Sequence, residues 1–327
     1  MKRQTLRMLA ATALAATGLP SRAQPRGAYP AQPIRWVVPY APDGTTDQIA
    51  RALAGHMARN LGQAVMVDNR PGAASIVGAT YVARSPADGY TIGSADSGTL
   101  AFNPVMYSTL SYDASKDFSF IGGLGRMPLV LVVAPNFPAR SVREYLALVR
   151  RTPGVVTAGS SGPGAPLHIA LELFKQQSRT DIRHVAYKGS APALADVAGG
   201  QLDSMFIDLP PSLAAIRAGK VRVLAAATPQ RLSLLPDVPT MAEAGVPAFE
   251  AYAWQGLVGP ARLPEGVVQR LSQNLVAALR TSEIRARLEE RGIEPMTSSP
   301  AEFAAFVRSE QKRWAGVIRA ADIRLES

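Results

Sequence analysis

From residue 34 to residue 227 the chain alternates two hydrophobic patterns. Short apolar runs predict strands at Ile34–Pro39, Val65–Asn69, Thr91–Ser94, Leu129–Ala134, Val155–Ala158, Ile182–Val185, Ser204–Ile207 and Val221–Ala227. Between them, apolar positions recurring every three or four residues predict helices at Thr46–Leu61, Ile76–Arg84, Val142–Arg151, Leu167–Gln177, Ala191–Ala198 and Leu213–Ala218. Such alternation is the signature of an α/β fold with parallel sheets. The last third differs. Pro264–Leu279, Ser282–Arg291 and Pro300–Ala321 read as three helices with no strand between them.

Two apolar strands bounded by proline, "PLVLVVAP" (128–135) and "VRVLAAATP" (221–229), bracket an α/β block of residues 126–228. This layout predicts a domain inserted into another: residues 24–125 and 229–327 form lobe one, and residues 126–228 form lobe two. Two crossing strands make a hinge, and a hinge between lobes makes a cleft. One continuous doubly wound sheet is the alternative.

The 327 residues, 47% of them hydrophobic, suffice for such a core. Residues 1–23 carry a basic start, an apolar run from Met8 to Leu19 and a Ser21-Arg22-Ala23 end, the pattern of a secretory signal peptide. Cleavage after Ala23 removes Lys2, Arg3, Arg7 and Arg22 from a net charge of +10, leaving +6. The expected location is the periplasm. No later apolar run is long enough to span a bilayer, so no membrane insertion of the mature chain is expected. The chain has no cysteine, which excludes disulfides, thiolate metal sites and a cysteine nucleophile. Basic residues are scattered rather than striped, which argues against nucleic acid as a partner.

Ligands of α/β sheets sit beyond the carboxyl ends of the strands. Six loops fall there. Three belong to lobe one: "YAPDGTTD" (40–47), "RPGAAS" (70–75) and "SADSGT" (94–99). Three belong to lobe two: "GSSGPGAPLH" (159–168), "AYKGSAP" (186–192) and "FIDLPPS" (206–212). Their glycines admit close backbone approach, and their hydroxyls and helix-start amides can hold an anion. Each also fits a plain structural role. Thr45 or Thr46 could cap the first helix and Ser75 the second, and Asp47 suits a first helical turn.

Catalytic patterns are missing. His56, His168 and His184 show no i, i+4 metal spacing, and no metal site or cofactor is expected. "GSSGPG" (159–164) lacks the G-x-S-x-G of a nucleophile elbow, although Ser160 or Ser161 keeps a secreted hydrolase as a minor alternative. No G-x-G-x-x-G follows a strand, and there is no P-loop lysine.

Eight stretches in register from about residue 29 to 323 resemble one family: "YPAQPIRWVVPYAPDGTTDQIAR", "LGQAVMVDNRPGAAS", "SPADGYTIG", "NPVMY", "YDASKDF", "HVAYKGSAPALADVAGGQLDSMF", "LPDVPTMAEAGVPAFEAYAWQGLVGPARLP" and "EFAAFVRSEQKRWAGVIRAADI". The family is the Bug-type (Bordetella uptake gene) extracytoplasmic solute receptors of tripartite tricarboxylate transporters. The resemblance implies a two-lobed periplasmic binding protein, a Venus flytrap with crossing hinge strands, that is not an enzyme. It implies a small carboxylated solute, delivered to a two-subunit membrane permease. The acidic residues of the loops bias that solute towards a zwitterion, an amine or a neutral polar molecule, and with no coiled-coil or edge signal the expected state is a monomer. A ligand-sensing protein feeding a signalling partner is the other use of such a fold.

By motif, the ligand-binding positions in lobe one are Tyr40, Pro42, Asp43, Gly44, Thr45 and Thr46, then Gly72, Ala73 and Ser75, then Ser94, Asp96 and Ser97. In lobe two they are Ser160, Ser161, Gly162, Gly164 and His168, then Lys188, Gly189, Ser190 and Ala191, then Asp208. Two departures stand out. The family places Gly-Gly after the loop proline where this chain has Asp43-Gly44, and N-R-P-G-A-G-G where this chain has Asn69-Arg70-Pro71-Gly72-Ala73-Ala74-Ser75. A carboxylate ligand 4 Å from Asp43 would be repelled by about 4 kcal/mol at an effective dielectric near 20. Asp43 therefore either turns to solvent, folds into an Asx-type turn, or meets a cationic group. Asp96 and Asp208 pose the same question.

Overall fold

A computed structural model describes residues 29–326; the expected signal peptide lies outside the described residues. The first lobe opens with β1 (Ile34–Val38), α1 (Thr45–Leu61), β2 (Val65–Asn69), α2 (Ile76–Ala83) and β3 (Thr91–Asp96). A π-helical turn, Gly98–Phe102, and the short α3 (Asn103–Met106) follow. β1 runs parallel to both β2 and β3.

The chain then enters β4 (Phe118–Val133), a 16-residue strand that serves both lobes. Its first half pairs antiparallel with β9 (Tyr252–Pro260), which lies between β3 and β4. Its second half pairs antiparallel with β7 (Ser204–Asp208) and β8 (Arg222–Ala226). The handover falls between Pro128, opposite Tyr252, and Leu129, opposite Asp208. A proline has no N–H to give to a ladder, so it suits the point where one ladder ends.

The second sheet is completed by β5 (Thr157–Ser160), parallel to β7 and to β6 (Arg183–Ala186). Its helices are α4 (Val142–Arg151), α5 (Pro166–Ser178), α6 (Ser190–Gly199) and α7 (Leu209–Arg217). α4 shows why such segments are helical. Ser141 caps it by accepting a hydrogen bond from the Glu144 amide at 3.2 Å, and Val142, Tyr145, Leu146 and Val149 form its buried stripe.

Strand pairing departs from the all-parallel expectation at β4 and β9. Neither β9 nor the first half of β4 shows a strand pattern. All nine residues of β9 are buried, so no polar alternation marks it. Gly256 is required there, since a Cβ would sit 1.8 Å from the Phe303 ring. β4 reads "FSFIGGLGRMP" before its apolar half, and its register shifts twice in this glycine-rich part.

Three passes of the chain meet at the hinge. The Leu129 carbonyl accepts from the Ala227 amide at 2.8 Å, and the Ala227 carbonyl accepts from the Ala251 amide at 2.9 Å. β8 stays within the second sheet, so the return crossing is made near Ala251. Residues 229–250 consequently cover the second sheet rather than the first: the Phe249 ring lies 5.3 Å from Phe206 and 5.7 Å from Phe174. The sequence reading had grouped them with lobe one; their apolar side chains have the second sheet's face within reach.

The chain ends with α8 (Glu265–Arg280), α9 (Ser282–Glu289), the two-residue β10 (Glu294–Pro295) and α10 (Pro300–Ala320). α10 starts in a capping box of Ser299 and Glu302. It buries Phe303, Val307, Trp314, Val317 and Ile318. Its buried Glu310 accepts the indole N–H groups of Trp254 and Trp314, both at 2.8 Å. α10 touches both lobes. Gln311 donates to the Leu100 carbonyl in lobe one at 2.8 Å, and Gln176 on α5 donates to the Val317 carbonyl at 3.0 Å.

Candidate functional site

All six sequence-predicted loops lie at the carboxyl ends of β1, β2, β3, β5, β6 and β7. In lobe one the organiser of the first loop is Asp47. Its Oδ2 accepts from the Asp43 amide at 3.0 Å and from Arg51 Nε at 2.8 Å, and its Oδ1 accepts from Asn69 Nδ2 at 2.9 Å. Burial raises the Asp47 pKa, but these bonds, led by Arg51, outweigh it and hold the carboxyl below its ordinary range. Asn69 also donates to the Tyr40 carbonyl at 3.0 Å, so the loop is closed from both ends.

Asp43 is exposed, with φ of 66°. That left-handed conformation explains glycine in the family pattern, and Asp is among the few other residues that tolerate it. Asp43 makes no Asx turn; the short-range bond runs from its amide to Asp47. The helix caps expected of Thr45, Thr46 and Ser75 do not form either. Gly44 is the N-cap of α1 with no side-chain bond, and Thr46 Oγ1 instead accepts from Gln255 at 2.7 Å.

The second departure is strained. Ala73, Ala74 and Ser75 all have positive φ (43°, 49° and 74°), directly after Gly72 at 141°. Each such non-glycine residue carries roughly 1–2 kcal/mol of strain. What holds the turn is a buried chain of side chains. Tyr40 donates to Asp96 Oδ2 at 2.5 Å, and Asp96 Oδ1 accepts from the Thr99 amide and hydroxyl at 2.8 Å each. Thr99 Oγ1 lies 2.7 Å from Ser75 Oγ, and Asn103 donates to the Ala74 carbonyl at 3.0 Å. Burial and the Asp96 charge keep the Tyr40 phenol well above its ordinary pKa, so it stays protonated and donates. Asp96 has its acceptors engaged within the protein. Ser94 is engaged too, accepting from the Trp36 indole at 2.9 Å.

In lobe two the β5 loop rests on two histidines. The rings of His168 and His184 stack at 3.8 Å and 9°. His168 Nδ1 accepts from the Gly164 amide at 3.0 Å, and His184 Nε2 lies 2.7 Å from Ser160 Oγ. Both imidazoles are pushed down to about 4, chiefly by burial, with the neighbouring ring and Lys175 adding repulsion at His184. They are neutral at pH 7. Ser160 and its partner imidazole resemble a hydrolytic dyad, but Ser160 has no exposed surface and its hydroxyl is shared with the Gly162 backbone. A nucleophile must reach its substrate, and this one is closed in. The Gly189 amide donates to the Ser161 carbonyl at 3.2 Å, which ties the Lys188–Ala191 turn to the same loop. Lys188 and Ala191 are exposed; Gly189 and Ser190 are half-buried.

The lobes face each other across a cavity of about 400 Å³. Asp43, Gly44, Thr45 and Gln48 line it from lobe one, Pro210, Pro211 and Leu213 from lobe two, and Glu290, Arg291 and Ile293 close a side; the other four predicted loops do not line it. Sequence reasoning left three contributors out of the site: Gln255, His184 and Arg291. Thr99 lay at the end of a predicted loop without a role of its own, and His184 lay inside a quoted motif. Gln255 sits in the strand that has no readable pattern, and Arg291 lies after α9, far from any strand end.

Among the described residues three buried polar side-chain atoms have no hydrogen-bond partner: Ser97 Oγ, Gln255 Oε1 and Asp208 Oδ1. Ser97 and Asp208 follow or end cleft-facing strands, and Gln255 contacts the α1 start. Unpaired buried acceptors are costly unless something meets them.

Two sheet-based lobes joined by a shared strand, with polar loops converging from both, define a two-lobed solute-binding protein. A family model for the tripartite tricarboxylate transporter family receptor matches residues 49–323. The chain belongs to this receptor family, in its Bug-type branch. It is 34% identical to Protein BugT of Bordetella pertussis over 299 residues, covering 91% of this chain and 92% of BugT. Two solved structures have the same fold along essentially their whole length. One is R. palustris Rpa4515 with adipate, at TM-score 0.82 and 35% identity, covering 91% of this chain and 100% of that one. The other is MatC from Rhodopseudomonas palustris with bound malate, at TM-score 0.78 and 32% identity, covering 89% and 100%.

Proposed function

We propose that the protein, exported and trimmed of residues 1–23, captures a small carboxylate-bearing metabolite between its lobes in the periplasm. It then presents the closed form to a two-subunit permease. It performs no chemistry on the ligand. The observation that carries this reading is the set of amide-rich and hydroxyl-rich loops at the strand ends of both lobes, of which the first loop of lobe one and the Pro210–Pro211 turn of lobe two share a cavity of about 400 Å³. The adipate and malate held by the two solved relatives support an acid as ligand. Free helix-start amides at α1, α5 and α6 suit a carboxylate. A ligand contacting both lobes favours the closed arrangement by its differential affinity.

The test is native mass spectrometry of residues 24–327 purified without refolding, followed by a thermal-shift panel of di- and tricarboxylates, amino acids and aromatic acids. A retained small molecule, or stabilisation by an acid together with compaction in small-angle scattering, is expected. Stabilisation by none of these acids, with no retained mass, would sink the receptor reading.

A further inference from the structure

Four acidic residues stand in the cleft loops, and the structure sorts them. Asp47 is consumed by the Asp43 amide, Arg51 and Asn69. Asp96 is consumed by Tyr40 and Thr99. Asp43 is exposed, and its carboxylate makes no hydrogen bond. Asp208 is different. Its Oδ1 is buried without a partner, and no side chain donates to the carboxyl at all. Its neighbour on one side, Ile207, is apolar and fully buried, as is Leu209 on the other.

Its place in the fold is at the ligand end of lobe two. β5 and β7 are parallel, with Gly159 level with Met205. Ser160, the last residue of β5, is therefore level with Phe206, and Asp208 lies two residues further out towards lobe one. It is also opposite Leu129, the residue at which the hinge passes meet. The next turn, Pro210–Pro211, shares the interlobe cavity with Asp43, Gly44 and Thr45.

We propose that Asp208 is a specificity-determining residue of the cleft: its carboxylate receives the ammonium group of an aminocarboxylate whose acid end is held by the amides and hydroxyls of the other loops. This rests on the solute-receptor reading above and names the class of solute. The other two unpartnered atoms point the same way. Gln255 presents an amide oxygen, since its nitrogen already donates to Thr46. A carboxylate ligand can meet Asp208 only against its protonated form and finds no donor on Gln255 Oε1, whereas an ammonium brings up to three donors to both. Burial pushes the Asp208 carboxyl up to about 7, and no charged side chain bears on it. An arriving ammonium would ionise it, so binding below pH 7 expels a proton from Asp208 to the buffer.

The experiment compares matched acids with and without the amino group: aspartate with succinate, glutamate with glutarate, 2-aminoadipate with adipate, and phenylalanine with 3-phenylpropionate. Affinities are measured by calorimetry on the wild type and on Asp208→Asn. The wild type is expected to favour the amino member of its best pair by roughly tenfold or more, the size of one charge-assisted hydrogen bond. Asp208→Asn is expected to shrink that preference to within about threefold, leaving the des-amino acid little changed. A second readout needs no variant. At pH 6, calorimetry in buffers of different ionisation heat should show net proton release with the amino member only. Equal or tighter binding of the des-amino acid by the wild type, or proton uptake on binding, overturns the proposal and leaves the receptor reading intact. Failure of all eight compounds to bind removes the receptor's acid ligand and the proposal with it.

Discussion

The loops of the two lobes are built from the same residue types and spend them differently. In lobe one, Tyr40, Asp96, Thr99 and Ser75 bind one another, and they hold the strained Ala73–Ser75 turn in place. In lobe two the β5 loop leans on two neutral imidazoles, and Asp208 Oδ1 has no partner. The carboxylates of Asp47 and Asp96 in lobe one are thus structural cement. The Asp208 carboxyl of lobe two is not. Composition alone does not separate these roles; the location of donors around each oxygen does.

The contrast can be broken most directly at Asp96. Asp96→Ala strands the Tyr40 hydroxyl and both Thr99 donors, and is expected to destabilise the protein by about 3 kcal/mol in urea denaturation. A loss under about 1 kcal/mol would mean that the network is not what holds the loop.

Next comes the imidazole pair. Its folded-state pKa values lie below the unfolded 6.5, so the unfolded chain binds protons first on acidification. The stability these rings contribute is complete above pH 6.5 and is lost as pH falls towards 4. Between pH 7 and 5 the loss should be about 3 kcal/mol for the two rings, solvent screening at the half-buried His184 taking it below twice the value of one ring. Replacing both with Gln should flatten this part of the stability–pH curve.

Asp208 slopes the other way. Its folded pKa is raised, so its stabilising, protonated state prevails at low pH and is lost as pH rises through about 7. Unliganded Asp208→Asn should therefore gain on the wild type from pH 5 to pH 8, by about 2–3 kcal/mol, most of it below pH 7. A constant difference across that range would contradict a buried, unpartnered carboxyl.

The smallest effect belongs to the strained turn. Ala74→Gly should stabilise by about 0.5 kcal/mol, the relief of a left-handed alanine less the added freedom of the unfolded chain. A destabilisation would show that the turn relaxes around alanine without strain.

Much of this architecture was legible in the residues. The short apolar runs and capped amphipathic stretches marked most strands and helices, because their faces divide core from solvent. β9 and the glycine-rich half of β4 were not, because a strand buried on both faces has no polar phase to detect. The six loops were legible as a set. Which of their acids were free was not, because that depends on Tyr40 and Thr99 reaching Asp96 across 56 and 3 residues of sequence. The helix caps assigned to Thr46 and Ser75 failed for the same reason: Gln255, 209 residues away, and Thr99 took those hydroxyls first.

Helix α10 lies on β9 and the first half of β4, through Trp254 and Phe120, and is also fastened to the π-helical turn of lobe one and to α5 of lobe two. The two lobes are thus tied twice, once by the strands of the hinge and once through the side of a helix that belongs to neither sheet. Severing the hinge strands alone would leave them attached.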